Sequence, residues 1–243
     1  MSLTSHPGSE MDAFQERLAR VRARIARAER AHGRPPGSVR LLAVSKTQPT
    51  PVLRVAWETG LRAFAESYYQ EAVQKIEALA GLGIEWHFIG PIQSNKTRGI
   101  AQRFAWVHSV DREKIARRLS EHRPPSMPPL QVCLQVNIDR EPTKSGCPPE
   151  AVETLARYIA QLPRLRLRGL MTIPAATQDP ERQRAAFARV RRLQEHLNAQ
   201  GLALDTLSMG MSRDLEAAIA EGATVVRIGT ALFGPRPPRP RTR

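Results

Sequence analysis

A chain of 243 residues, 41% hydrophobic and 25% charged, can bury one substantial core and has the ordinary balance of a soluble globular protein. No stretch approaches the roughly 20 apolar residues of a membrane helix, and Met1–Glu10 has no apolar h-region, so a cytoplasmic protein with no membrane partner is expected. The net charge of +14 comes largely from arginines spread along helical stretches, and with aromatics at 5% and no basic cluster interleaved with stacking residues it points to a solvated surface rather than to nucleic acid.

In chain order, residues 1–10 are expected to be disordered, and Met11–Ala31 reads as an amphipathic helix with Phe14, Leu18, Val21 and Ile25 on one face. His32–Gly37, rich in Gly and Pro, ends it. Strand-length apolar runs then follow at Leu41–Ser45, Arg62–Glu66, Glu85–Ile89, Trp106–Val110, Leu130–Asn137, Leu167–Thr172, Leu204–Ser208 and Thr224–Ile228. Between them, segments such as Pro51–Thr59, Tyr69–Ala80, Glu150–Gln161, Glu181–Gln200 and Arg213–Glu221 carry helical periodicity. Strands alternating with helices imply parallel pairing with right-handed crossovers, and the even pacing favours a single closed (β/α)8 TIM-type barrel over residues 11–234 rather than an open doubly wound sheet. Little follows the last strand beyond Thr230–Phe233, so the N-terminal helix is expected to take the eighth helix's place. Residues 235–243 read as a disordered Pro/Arg-rich tail. Cys133 and Cys147 match neither a disulfide framework nor a zinc pattern and read as free thiols.

Ligand chemistry in such a barrel sits at the C-terminal ends of the strands. The ends after the seventh and eighth runs, Ser208-Met209-Gly210-Met211-Ser212 and Gly229-Thr230, supply hydroxyls and glycines where this fold holds phosphate. Ser212 reads as the N-cap of the helix that follows it. Each residue alone suits a turn or cap; together they suggest an anion site. Barrel closure sets Lys46, at the end of the first strand, beside that site. A partly desolvated lysine near cations can form a Schiff base with a carbonyl. A phosphate cradle with a nearby lysine suits a phosphorylated aldehyde, of which pyridoxal 5′-phosphate (PLP) is the commonest cofactor. In Val225-Val226-Arg227-Ile228, alternation turns Arg227 into the barrel, either toward a pyridine nitrogen or into a core ion pair with Glu66 or Glu85.

These segments resemble the pyridoxal phosphate homeostasis proteins, single-domain relatives of the alanine racemase N-terminal barrel. The likeness runs from about Phe14 to Gly234 and rests on Leu42–Thr47, Trp86–Lys96, Met209–Ser212 with Glu216–Ile219, and Val226–Gly234. It implies that Lys46 carries PLP as an aldimine, that Arg227 meets the pyridine nitrogen, and that Ser208, Ser212, Gly229 and Thr230, with Met209 and Gly210 beside them, hold the phosphate. Met171 and His87 would line the pocket. Where the family usually has Gly-Glu-Asn, this chain has Ala65-Glu66-Ser67, so Glu66 is matched and Ser67 replaces the Asn with a shorter contact. Lys75 reads as solvated, while Lys96 and Lys144 stand open as transient holders of the cofactor.

The resemblance implies a non-enzymatic role in vitamin B6 metabolism: holding PLP, buffering the free aldehyde and delivering it to PLP-dependent apoenzymes. Two-base racemisation is not expected, because the racemase's second base comes from a C-terminal domain with no counterpart here, and lack of that dimer-forming domain favours a monomer. The alternatives are a PLP-dependent enzyme acting on a small amino acid and, on charge alone, a nucleic-acid binder.

Overall fold

Helix α1 (Pro7–Ala31) starts four residues before Met11, and its apolar face, Phe14, Leu18, Val21 and Ile25, is buried. Each such side chain taken out of water is worth about 1.5–3 kcal/mol. The computed structural model describes residues 7–235; the expected disorder of residues 1–6 and the tail beyond Pro235 lie outside them.

Strands β1 (Arg40–Val44), β2 (Ala63–Glu66), β3 (Glu85–Phe88), β4 (Trp106–Val110), β5 (Leu130–Val136), β6 (Leu165–Thr172), β7 (Thr206–Ser208) and β8 (Val225–Ile228) pair in sequence order into a closed parallel barrel. Closure comes from β1 against β8, with Leu42 opposite Arg227 and Ala43 opposite Ile228. The helices between strands are α2 (Thr50–Glu58), α3 (Tyr69–Ala78), α4 (Thr97–Arg103), α5 (Glu113–His122), α6 (Val152–Ala160), α7 (Pro180–Ala199) and α8 (Leu215–Ala220), with a short α9 (Thr230–Phe233) after β8.

The core divides by strand alternation. Outward-facing Ala43, Phe64, Trp86, Phe88, Val107, Val132, Leu170, Leu207, Val226 and Ile228 form one apolar layer under the helices. The barrel interior holds two smaller clusters, Leu42, Ala63, Ala65 and Val225, and Trp106, Cys133 and Met171, and the polar side chains described below. Desolvation pushes the buried Cys133 thiol up to about 12, which keeps it protonated and unreactive.

Helix α1 does cover the gap beyond β8. Arg17 Nε donates to the Leu232 carbonyl at 2.6 Å, Phe14 and Phe233 rings lie 5.6 Å apart, and Arg24 makes a two-pronged bond to Glu216 at 2.7 and 2.8 Å.

Candidate functional site

Lys46 follows β1 on a loop fixed from both sides. The Ser45 carbonyl accepts from Lys75 Nζ at 2.7 Å and from the Gln48 amide at 3.0 Å. Thr47 is held at φ 67, a left-handed conformation costly for a β-branched residue, and its amide donates to Glu71 Oε1 at 2.6 Å. Lys75 is the hub. It is buried, not solvated as its sequence context suggested, and its ammonium also bonds Glu66 at 2.8 Å and Glu71 at 2.5 Å.

Glu66 therefore does a different job from the one expected of it. On β2, Ala63 and Ala65 face the interior while Phe64 lies in the layer under the helices, and Glu66 shares Phe64's face. Its carboxylate points toward α3, where Lys75 Nζ and the Ser45 hydroxyl (2.5 Å) hold one oxygen; the other is buried without a partner. Burial raises its pKa, with Lys75 opposing. Ser67 follows at the strand end, where its carbonyl comes so close to Gly90 that a Cβ there would lie 2.0 Å from it.

Arg227 does point into the barrel, but pairs with neither Glu66 nor Glu85. Its Nη1 donates to the Ser208 carbonyl (2.6 Å) and hydroxyl (2.9 Å), and Nη2 to the Thr172 carbonyl (2.9 Å). Among the described residues no carboxylate lies within ion-pair distance of it. Burial pushes it down to about 10, still cationic at neutral pH, with Asp214 opposing at longer range.

The loops after β7 and β8 meet as expected, with different roles inside them. Ser212 does not cap α8: Asp214 occupies that position, its carboxylate accepting from the Met211 amide at 2.6 Å. The Ser212 hydroxyl crosses instead to the first turn of α9 and accepts from the Ala231 amide at 3.3 Å. Met209 packs in the layer under the helices, its amide already bonded to the Val225 carbonyl, so neither group faces a ligand. Gly210 sits at φ +96, and a Cβ there would lie 2.6 Å from Ala218, so packing of α8 already demands a glycine. Ser208 turns inward: its hydroxyl bonds His108 Nδ1 at 2.7 Å and Arg227, which commits it away from any phosphate. Gly229 and Thr230 stay at the mouth and share one recess with Val44, Lys46, Gln48 and Gly234.

Met171 is fully buried in the interior, level with Ser208 on the neighbouring strand. His87 lies deeper, with Nδ1 on His108 (2.8 Å) and Nε2 on Glu85 (2.6 Å), so it meets Arg227 only through intermediaries. Lys144 directs its amine to the Pro174 carbonyl at 2.8 Å, and Lys96 lies over the Tyr69 ring at 5.5 Å. His108 is the polar interior group that the reading of strand ends misses, and Glu85, offered there as a partner of Arg227, pairs with His87 and Arg40 instead. The two-residue alternation in Trp106-Val107-His108 is the signal that finds His108.

A phosphorylated pyridine aldehyde fits these residues. An amine and the first turn of α9 share one recess, and a buried guanidinium bonded only to neutral oxygens lies on the strand beside Lys46's own.

The chain is similar to known proteins along most of its length. Residues 17–237 match the family "Alanine racemase, N-terminal domain". The pyridoxal phosphate homeostasis protein of Pseudomonas aeruginosa is 62% identical over 226 residues, covering 93% of this chain and 97% of that one. The structure of PipY from Synechococcus elongatus with PLP bound superposes with a TM-score of 0.80 at 37% identity, covering 91% of this chain and 100% of that one. Alanine racemase from Corynebacterium glutamicum, at 20% identity and a TM-score of 0.70, shares the fold; the match covers 62% of that enzyme's chain. Among the described residues no helix is long and apolar enough to cross a membrane. With its closed barrel, its Lys46 recess and these relatives, the chain belongs to the pyridoxal phosphate homeostasis proteins of the alanine racemase N-terminal domain family.

Proposed function

We propose that this chain binds PLP covalently through Lys46 and acts in the cytoplasm as a reservoir, buffering the free aldehyde and passing it to apoenzymes, without a dedicated reaction of its own. The observation that carries the reading is the recess bringing Lys46, Gly229 and Thr230 together beside the strand that bears Arg227. PLP supplies an aldehyde for the lysine amine and a ring that can act as an electron sink.

The residues favour holding over turnover. Arg227 presents a permanent cation where the ring nitrogen would lie, which disfavours protonation of that nitrogen; PLP enzymes that need a strong sink place a carboxylate there. The start of α9, where Ser212 holds the Ala231 amide and the Gly229 carbonyl takes the next two, offers the Thr230 amide and hydroxyl to a phosphate. Met171, fully buried with Trp106 and Cys133, packs inside the barrel on the strand beside Ser208. The ion cluster around Lys75 fixes the backbone on both sides of Lys46, so its amine starts from an ordered loop.

The test is direct. Protein incubated with PLP should gain a visible absorption band that Lys46→Ala lacks, and borohydride reduction with peptide mapping should mark Lys46. Loaded protein should then reactivate a PLP-requiring apoenzyme. A colourless wild type defeats the cofactor assignment, and steady turnover of an amino acid well above that of free PLP defeats the reservoir role.

A further inference from the structure

Below Arg227 the barrel interior carries a continuous line of polar contacts. Arg227 Nη1 meets Ser208 Oγ at 2.9 Å; Ser208 Oγ meets His108 Nδ1 at 2.7 Å; His108 Nε2 meets His87 Nδ1 at 2.8 Å; and His87 Nε2 meets Glu85 Oε1 at 2.6 Å. Ser208, His108 and His87 are all buried to within 1% of fully, whereas the Glu85 side chain is 37% exposed and also pairs with Arg40 at 2.8 Å. The line thus runs from the ligand end of the barrel to its opposite, solvent-facing rim.

Its two ends fix the direction of every link. Arginine can only donate, and an ionised carboxylate can only accept. Glu85, held below the usual carboxylate range chiefly by its bond from His87, accepts His87 Nε2–H. Burial pushes both histidines down, so each is neutral, with one nitrogen donating and the other accepting. His87 Nδ1 then accepts His108 Nε2–H, His108 Nδ1 accepts the Ser208 hydroxyl proton, and Ser208 Oγ accepts from Arg227. No link conflicts with its neighbour. The surroundings reinforce the arrangement: Trp106 stacks on His87 at 5.5 Å and 8°, and Arg168, paired with Asp205, lies 5.0 Å over the Trp106 ring.

We propose that Glu85, His87, His108 and Ser208 form a one-way hydrogen-bonded chain, anchored at the rim on a carboxylate shared with Arg40, that holds the Arg227 guanidinium in the orientation that receives the cofactor's ring nitrogen. They are positioning residues, since none but Arg227 reaches toward the ligand. The inference rests on PLP binding at Arg227 for its functional half. Its structural half concerns the empty protein.

The experiment has two arms. In the ¹⁵N-labelled protein without PLP, imidazole NMR should show both His87 and His108 as neutral Nε2–H tautomers near neutral pH. Glu85→Leu should disturb the His108 signals one ring away, while Glu85→Gln, which keeps a carbonyl acceptor, should preserve them. A doubly protonated ring, an Nδ1–H tautomer at either site, or a His108 spectrum indifferent to Glu85→Leu would overturn the proposal. In the second arm, His108→Leu should weaken PLP binding roughly tenfold, the effect of losing about one supporting hydrogen bond. Val107→Ala, equally buried on the same strand but facing the helices, should lower stability without changing PLP affinity. Equal affinity losses in both variants would reduce His108 to a packing residue. If wild type takes up no PLP, the cofactor reading fails, and the tautomers still decide the chain.

Discussion

Two cations are buried near the mouth of this barrel, and the protein treats them oppositely. Lys75, in the layer between β2 and α3, is neutralised by two carboxylates and a carbonyl. Arg227, inside the barrel, is given two carbonyls and a hydroxyl, with the Asp214 carboxylate acting on it only at longer range. A buried charge without a partner is expensive, so a fold that needs a cation only for architecture surrounds it with anions. Leaving Arg227 on neutral oxygens keeps its charge available to something that arrives later. Lys75 shapes the loop, and on the proposed function Arg227 serves the ligand.

The sharpest way to break that contrast is at Lys75. Lys75→Ala leaves Glu66 buried beneath α3 and should cost about 3–5 kcal/mol of unfolding free energy, the penalty of orphaning a buried charge. Urea denaturation would measure it, and pairing the change with Glu66→Gln should recover part of the loss. Arg227→Met should act the other way round. PLP affinity should fall roughly 10- to 100-fold, corresponding to the ~1.5–3 kcal/mol of a charge-assisted hydrogen bond, while stability changes less than in Lys75→Ala. Similar stability losses in the two variants would erase the distinction.

Acid probes the interior chain. Both histidines sit below the ordinary histidine value because burial disfavours the charged ring, so the unfolded state binds more protons than the folded one in that window. Stability is then fully present above about pH 6.5 and should fall as pH drops below it, by up to ~1.4 kcal/mol per unit for each ring. Melting temperature against pH should show this slope, and His108→Gln should flatten it. The smallest effect belongs to the half-exposed Arg24–Glu216 pair, where Arg24→Ala should cost no more than about 1 kcal/mol beyond lost packing, and less in high salt.

The pattern of strands, the closure of β1 on β8, the place of α1, and the meeting of Lys46 with Gly229 and Thr230 were all legible in the residues. Alternation read correctly on β8 turned Arg227 inward. Applied to β2, the same period sends Ala65 in and Glu66 out; applied to β7, it sends Ser208 in and Met209 out. Taking whole strand ends as one ligand surface blurred those faces. Ser212 and Asp214 are both good capping residues two positions apart, and only the α8 backbone decides between them. Lys75 gave no local hint of burial. Its partners come partly from another element, since Glu71 lies one helical turn away while Glu66 closes β2.

The grip of α1 on α8 and α9 has a consequence for how the protein is made. Arg17 bonds a carbonyl 215 residues further along the chain, and the recess likewise draws on β1 at one side and on α9 at the other. During synthesis the N-terminal helix and first strand must wait, their partners unmade, while the intervening units emerge. Contacts so distant in sequence slow folding and leave apolar surface exposed in the interval. On the proposed function, a nascent fragment lacks one wall of the PLP recess, and PLP present when the barrel closes would favour the closed form by mass action.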